Sequence, residues 1–117
     1  MTIDFRCQCP ISSALDIIGD KWTLLVLREI VAFQKHTFKE IALMPEHIAT
    51  NILTDRLNKL VQEGLITKSK SETNKLIYYY YPTVKAKDLL PAVMAMREWS
   101  EKYLFENDEK PAFIGLP

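Results

Sequence analysis

The segment from Thr37 to Pro82 constrains this chain more than any other. FKEIALM follows Thr37, with Glu40 three residues after it, the spacing of a capping box. Pro45 is expected to end that short helix. After a turn around Met44 to Ile48, ATNILTDRLNKLVQEG carries Leu53, Leu57, Leu60 and Val61 on one face. Thr50, Asn51, Thr54, Asp55 and Asn58 fall on the other. Gly64 closes this helix. LITKSK and KLIYYYYP then read as two strands, divided by the polar turn SETN. Two helices joined by a short turn, with a hairpin directly behind, leave few topologies open.

The flanking segments supply the rest of the expected core. Pro10 is suited to a first helical position, and Ile11, Ala14, Leu15 and Ile18 recur at helical spacing after it. Gly19 reads as a stop in the left-handed conformation and Asp20 as a cap for KWTLLVLREIVAF. That stretch is apolar nearly all round, which predicts the central buried helix. Thr83 can cap a last helix bearing Leu89, Leu90, Val93, Met96, Trp99 and Tyr103, with a kink or restart at Pro91. The tail from about residue 106 is expected to be loosely ordered or draped on the surface. The fold class expected is α+β, mainly α, with all 117 residues, 48% of them hydrophobic, forming one domain. No run of about 20 apolar residues predicts a membrane span. The amino-terminal residues do not resemble a signal peptide, so the expected compartment is the cytoplasm.

In a helix-turn-helix reader the second helix enters the major groove, and residues near its amino end read bases. Here that face carries Thr50, Asn51 and Thr54, whose hydroxyl and amide groups can donate to and accept from base edges. Arg56 and Lys59 are placed to reach phosphates or base edges. Lys68, Lys70 and Lys75 flank the hairpin, as in a wing that contacts backbone or minor groove. Amphipathicity alone also describes an ordinary solvated helix face; the hairpin immediately after it favours the DNA-reading alternative. The net charge is zero, yet from Lys35 to Lys87 nine Lys and Arg face five Asp and Glu, a local excess of +4. The apolar load of the last helix and of the amino-terminal segment exceeds what one terminal helix buries, which predicts a homodimer. No glycine-rich phosphate loop and no nucleophile–base set is present, so neither an enzyme nor a cofactor is expected.

Several motifs in order resemble those of HxlR-type regulators, relatives of the MarR winged-helix repressors. They are Cys9-Pro10, Ala14-Leu15-Asp16, Ile18-Gly19, Lys21-Trp22 and the run Leu24 to Leu27. Phe38-Lys39-Glu40-Ile41, Leu53-Thr54-Asp55-Arg56-Leu57, Glu63-Gly64-Leu65-Ile66, Tyr80, Thr83, Leu90-Pro91 and Trp99 follow. The likeness runs from about residue 9 to 100. It implies a winged helix-turn-helix with a β-hairpin wing, a homodimer built by terminal helices, double-stranded DNA as partner and transcriptional control as output. It carries the base-reading role onto Thr50, Asn51, Thr54, Asp55 and Arg56. Asp55 departs from the pattern, since an acid repels phosphate, although it can accept from cytosine N4. The wing is short and lacks the arginines and prolines common in the family.

Cys9, just before Pro10, falls at a helix amino terminus, where the dipole favours thiolate and hence reaction with electrophiles or oxidants. The resemblance implies the same, since some members of the family sense quinones, aldehydes or hypochlorite through this cysteine. The other reading of Cys9 is a structural cysteine buried near the dimer interface. Cys7 and Cys9 point to opposite faces of an extended segment, which disfavours a mutual disulfide, and Cys-x-Cys with His36 and His47 is no zinc spacing. Two further functions remain open beside thiol sensing: a winged-helix protein-interaction module without DNA binding, and a regulator with a non-covalent small effector. Trp22 and Trp99 read as core or interface anchors, and the tyrosine run as two side chains on each face of a strand.

Overall fold

The computed structural model describes residues 8–105; Cys7 and the tail from Glu106 lie outside them. Helix α1 spans Pro10–Ile18 and starts at the proline. Gly19 ends it, but in right-handed geometry (φ −80°, ψ −5°), not the left-handed cap expected. The glycine is needed for space. A Cβ there would stand 2.4 Å from the backbone oxygen of Leu15. Asp20 serves the start of the next helix from two residues ahead of its N-cap, Trp22, not as the N-cap itself. Its Oδ2 accepts from the amides of Trp22 and Thr23 at 3.1 and 3.2 Å, and its Oδ1 from the Thr23 hydroxyl.

The central apolar stretch is not one regular helix. Helix α2, Thr23–Leu27, passes into a π turn, Arg28–Ala32, where the amide of Phe33 donates to the carbonyl of Arg28. Val26, Leu27 and Ile30 share the buried face across this change. Helix α3, Phe38–Ala42, carries the full capping box between Thr37 and Glu40. It stops before the expected end at Pro45, because residues ahead of a proline avoid helical geometry. Met44 instead folds back into the core.

Helix α4, Thr50–Gln62, buries Leu53, Leu57 and Leu60, while Val61, expected on the same face, stands exposed at its margin. Gly64 then turns the chain in the left-handed region, at φ +74°, into strands β1, Ile66–Lys70, and β2, Tyr78–Pro82. The strands pair antiparallel, with Lys68 opposite Tyr80 and Lys70 opposite Tyr78. Of the four tyrosines Tyr80 enters the core. Thr83 caps α5, Val84–Lys87, and its hydroxyl donates to the carbonyl of Gly64 at 2.7 Å. The chain restarts as α6, Leu90–Tyr103, with Pro91 in its first turn. One core gathers α2, the π turn, α3, α4, β1, β2 and Ala86 of α5. Neither α1 nor α6 holds a buried residue. The result is the winged helix-turn-helix expected, mainly helical with a two-stranded hairpin. No helix among the described residues is long and apolar enough to cross a membrane.

Candidate nucleic-acid interface

The turn between α3 and α4 is fixed from two sides. Met44 and Ile48 anchor it in the core, and His47 takes positive φ at its apex. Arg28 reaches across from the π turn and donates to both carboxylate oxygens of Glu46, at 2.9 and 2.7 Å. It also contacts the buried Glu29 at 3.0 Å. The Arg28 hydrogen bonds outweigh desolvation and hold the Glu46 carboxyl below its usual range. At α3 the amide of His36 and the hydroxyl of Thr37 do the same for Glu40. Directional bonds therefore hold the start of α3 and the middle of the turn that follows it.

On α4 the apolar face is sealed in the core, and Thr50, Asn51, Thr54, Asp55 and Asn58 are exposed. The Thr54 hydroxyl donates to the carbonyl of Thr50 at 3.0 Å, leaving its lone pairs and methyl group outward. Ala49, at the helix N-cap, supplies no side-chain acceptor. The cationic candidates of α4 face elsewhere. Arg56 Nε donates to Asp20 at 2.7 Å and its Nη1 to Asp55 at 2.6 Å, while Lys59 Nζ lies 3.8 Å from Asp20. Burial pushes the Asp20 carboxyl up, but the Thr23 hydroxyl, the Arg56 guanidinium and the Trp22 amide outweigh it and hold the group far below the ordinary carboxylate range. Asp20 was legible as serving a helix start; its pairing with Arg56 spans 36 residues and no local signal announces it.

The wing is short but braced. The Ser71 hydroxyl accepts from the amides of Thr73 and Asn74, and Asn74 Oδ1 from that of Leu76. Lys68, Lys70 and Lys75 are exposed, and the ammonium of Lys68 sits 4.2 Å from the Tyr78 ring centroid. A strap before α3 ties the wing to the helices: Tyr80 N donates to the carbonyl of His36 at 2.8 Å. The Nδ1 of His36 in turn lies 2.9 Å from the carbonyl of Tyr80, with its ring centroid 4.4 Å from that of Tyr81. Between wing, α3 and α4 lies a groove of about 500 Å³, lined by residues including Phe38, Lys39, Thr54 and Tyr78.

At the opposite end, Cys9 is exposed at the amino end of α1. Hydrogen bonding from the amides of Ser12 and Ile11 lowers its pKa. Cys9 is thus not buried within the chain. Of the residues expected to dimerise, Leu89 packs on the subunit's own core, Leu90 and Val93 are half-buried, and Met96, Trp99 and Tyr103 are exposed. The rings of Trp99 and Tyr103 meet tilted at 49°, 5.8 Å between centroids. Exposed Ile11, Leu15, Leu104 and Phe105 extend the same apolar character. Leu25, Arg28, Met96 and Arg97 help to line a cavity of about 260 Å³ between α2, the π turn and α6.

A family described as HxlR-like helix-turn-helix matches residues 17–108. YdeP of Bacillus subtilis (strain 168), an uncharacterized HTH-type transcriptional regulator, is 30% identical over 104 residues, 89% of this chain and 80% of its own length. Other curated relatives are longer, and the chain spans 63% of them. Among solved structures, the candidate transcription factor PA1607 superposes with a TM-score of 0.80 at 34% identity, covering 92% of this chain and 73% of that one. The oxidized form of the redox regulator HypR superposes at 0.66 with 27% identity, covering 80% and 96%.

Proposed function

The chain belongs to the HxlR-like helix-turn-helix family of transcriptional regulators, and from that premise we propose that it is a sequence-specific DNA-binding homodimer whose binding answers to electrophiles or oxidants through Cys9. One observation carries the reading: α4 seals its leucines in the core and exposes Thr50, Asn51 and Thr54 at its amino end, beside a braced wing with three exposed lysines. Asn51 pairs with the N6 and N7 edge of adenine, and the Thr54 methyl packs on a thymine methyl. Lys68, Lys70 and Lys75 neutralise phosphates. Two copies, joined through α6 and the amino-terminal segment, present half-sites about one helical turn apart. All 117 residues serve as one winged-helix unit with dimerisation elements at its ends.

Cys9 supports the sensing part through its exposure and lowered pKa, and through the likeness to HypR, a redox regulator. The 260 Å³ cavity favours a second reading, a non-covalent effector held against α6. The test is binding to DNA upstream of its own gene, titrated with salt, using reduced protein and protein treated with a mild electrophile. Selective binding with a steep salt slope is expected, and treatment should abolish it in wild type but not in Cys9→Ser. A response retained in Cys9→Ser would move the effector to the cavity. Absence of selective binding, together with indifference to Asn51→Ala, would favour a protein-interaction module.

A further inference from the structure

Arg56 and Lys59 turn from the exposed face of α4 toward their own subunit, and we propose that Asp20 is a positioning residue for the recognition helix, with Arg56 its latch and not a contact to DNA. The inference rests on the DNA-binding reading above. Both oxygens of Asp20 are engaged at one junction. Oδ2 receives the amides of Trp22 and Thr23 and the Nε of Arg56; Oδ1 receives the Thr23 hydroxyl and faces Lys59. The side chain of Arg56 is only 23% exposed, and its second donor is held by Asp55. Two nitrogens of the guanidinium are thus committed within the chain, Nε to Asp20 and Nη1 to the exposed Asp55.

The apolar contact of Leu53, Leu57 and Leu60 holds α4 on the core, but such contact is non-directional and tolerates small rotations. Arg56 adds directional bonds, Nε to Asp20 and Nη1 to Asp55, from donors that lie in one rigid plane, so a rotation of α4 strains both. Arg56 lies five residues beyond Asn51, about one and a half turns along the helix. A rotation that strained the Asp20 bond would swing Asn51 and Thr54 off their base edges. Asp20 itself cannot drift, since it holds the start of α2, whose Val26 and Leu27 are core. The same acid that starts α2 thus sets the angle of α4.

Charge gives a test with opposite signs. Asp20→Asn removes an acid near the DNA-facing helix and on electrostatics alone should tighten DNA binding. A positioning role predicts the reverse: affinity for the selected DNA falls roughly three- to tenfold, with the salt slope unchanged. Arg56→Lys keeps the charge but loses the fork, and should weaken binding to a similar extent. Tighter binding by Asp20→Asn, or full affinity in Arg56→Lys with a salt slope lowered by about one in Arg56→Gln, would overturn the proposal and return Arg56 to the phosphate-contacting set. Thermal unfolding without DNA supplies a second arm on the full chain. Asp20→Asn with Arg56→Gln should cost less than the sum of the two single changes, and additive losses would equally overturn the latch. If wild type selects no DNA, the DNA-binding reading fails by itself, and the unfolding cycle alone decides whether the two residues are coupled.

Discussion

The body of the molecule, from Thr23 to Ala86, and its terminal helices handle apolar residues in opposite ways. In the body Val26, Leu27, Ile30, Ile41, Leu53, Leu57 and Leu60 are all within 2% of complete burial. Its helix ends and turns are pinned by Asp20, by the Thr37–Glu40 box and by the Arg28–Glu46 pair. The terminal helices leave Ile11 73%, Leu15 53%, Met96 56% and Trp99 58% exposed. The body thus completes one core, with Leu43 and Leu76 exposed in its turn and wing and Val84 at the start of α5, whereas α1 and α6 bury no residue at all. On the proposed reading, the body carries the DNA surface and the terminal helices are finished by the second subunit.

The largest effect should separate the two regions directly. Leu53→Ala leaves a cavity under the recognition helix and should cost about 2–5 kcal/mol in urea unfolding. Met96→Ala, measured with protein dilute enough to be monomeric, should change stability by no more than about 0.5 kcal/mol. Equal losses would mean that α6 belongs to the body after all.

Next in size is the association itself. If α6 meets a second copy, wild-type protein should sediment as a dimer at micromolar concentration, and its Tm should rise with concentration. Trp99→Ala should weaken the dimer by about 2 kcal/mol, roughly thirtyfold in Kd. A monomer at all concentrations would mean that the apolar faces of α1 and α6 do not serve to join two copies of this chain.

The same division decides what could be read from the sequence. The Thr37–Glu40 capping box and the leucine spacing of α4 depend on residues three or four apart, and the restart at Pro91 on one proline, so each was legible in a single chain. The widening of the central helix at Arg28–Ala32 was not, because neither the apolar periodicity nor any glycine or proline in that stretch marks it. The commitment of Arg56 to Asp20 was hidden for a related reason: the spacing that marks Arg56 as exposed on α4 is blind to a carboxylate 36 residues earlier. The exposure of Thr50, Asn51 and Thr54 was legible because exposure on an amphipathic helix is itself periodic. The proposed dimer face was legible only as an excess of apolar residues, because a single chain holds no complement to it.

Two glycines sharpen the comparison at an intermediate scale. Gly19 joins α1 to the body and has no room for a Cβ, which would meet backbone at 2.4 Å. Gly19→Ala should therefore cost about 1–3 kcal/mol by overpacking and, by displacing α1, should also weaken association. Gly64 has open space but positive φ, so Gly64→Ala should cost about 1–2 kcal/mol of conformational strain and leave the dimer unaffected. Thermal unfolding paired with sedimentation distinguishes them; a normal dimer in Gly19→Ala would show that α1 is not part of the interface.

The smallest effect concerns acid. The folded body holds the carboxyl of Asp20 below its ordinary range, so the unfolded chain takes up its proton first as pH falls. The stabilisation is complete above the ordinary carboxylate range and is lost progressively from about pH 5 downward. Because Asp20 is only partly buried, its share should be on the order of 1 kcal/mol. Asp20→Asn has no such proton to bind. Its unfolding free energy should start below that of wild type at neutral pH, and the gap should narrow as the pH is lowered. Glu40 and Glu46 are held down in the same direction and contribute equally to both curves, so the difference between them isolates Asp20. Curves that stay parallel to low pH would show that the bonds to the Asp20 carboxylate add nothing to the stability of the body, and would count against the latch as additive losses do.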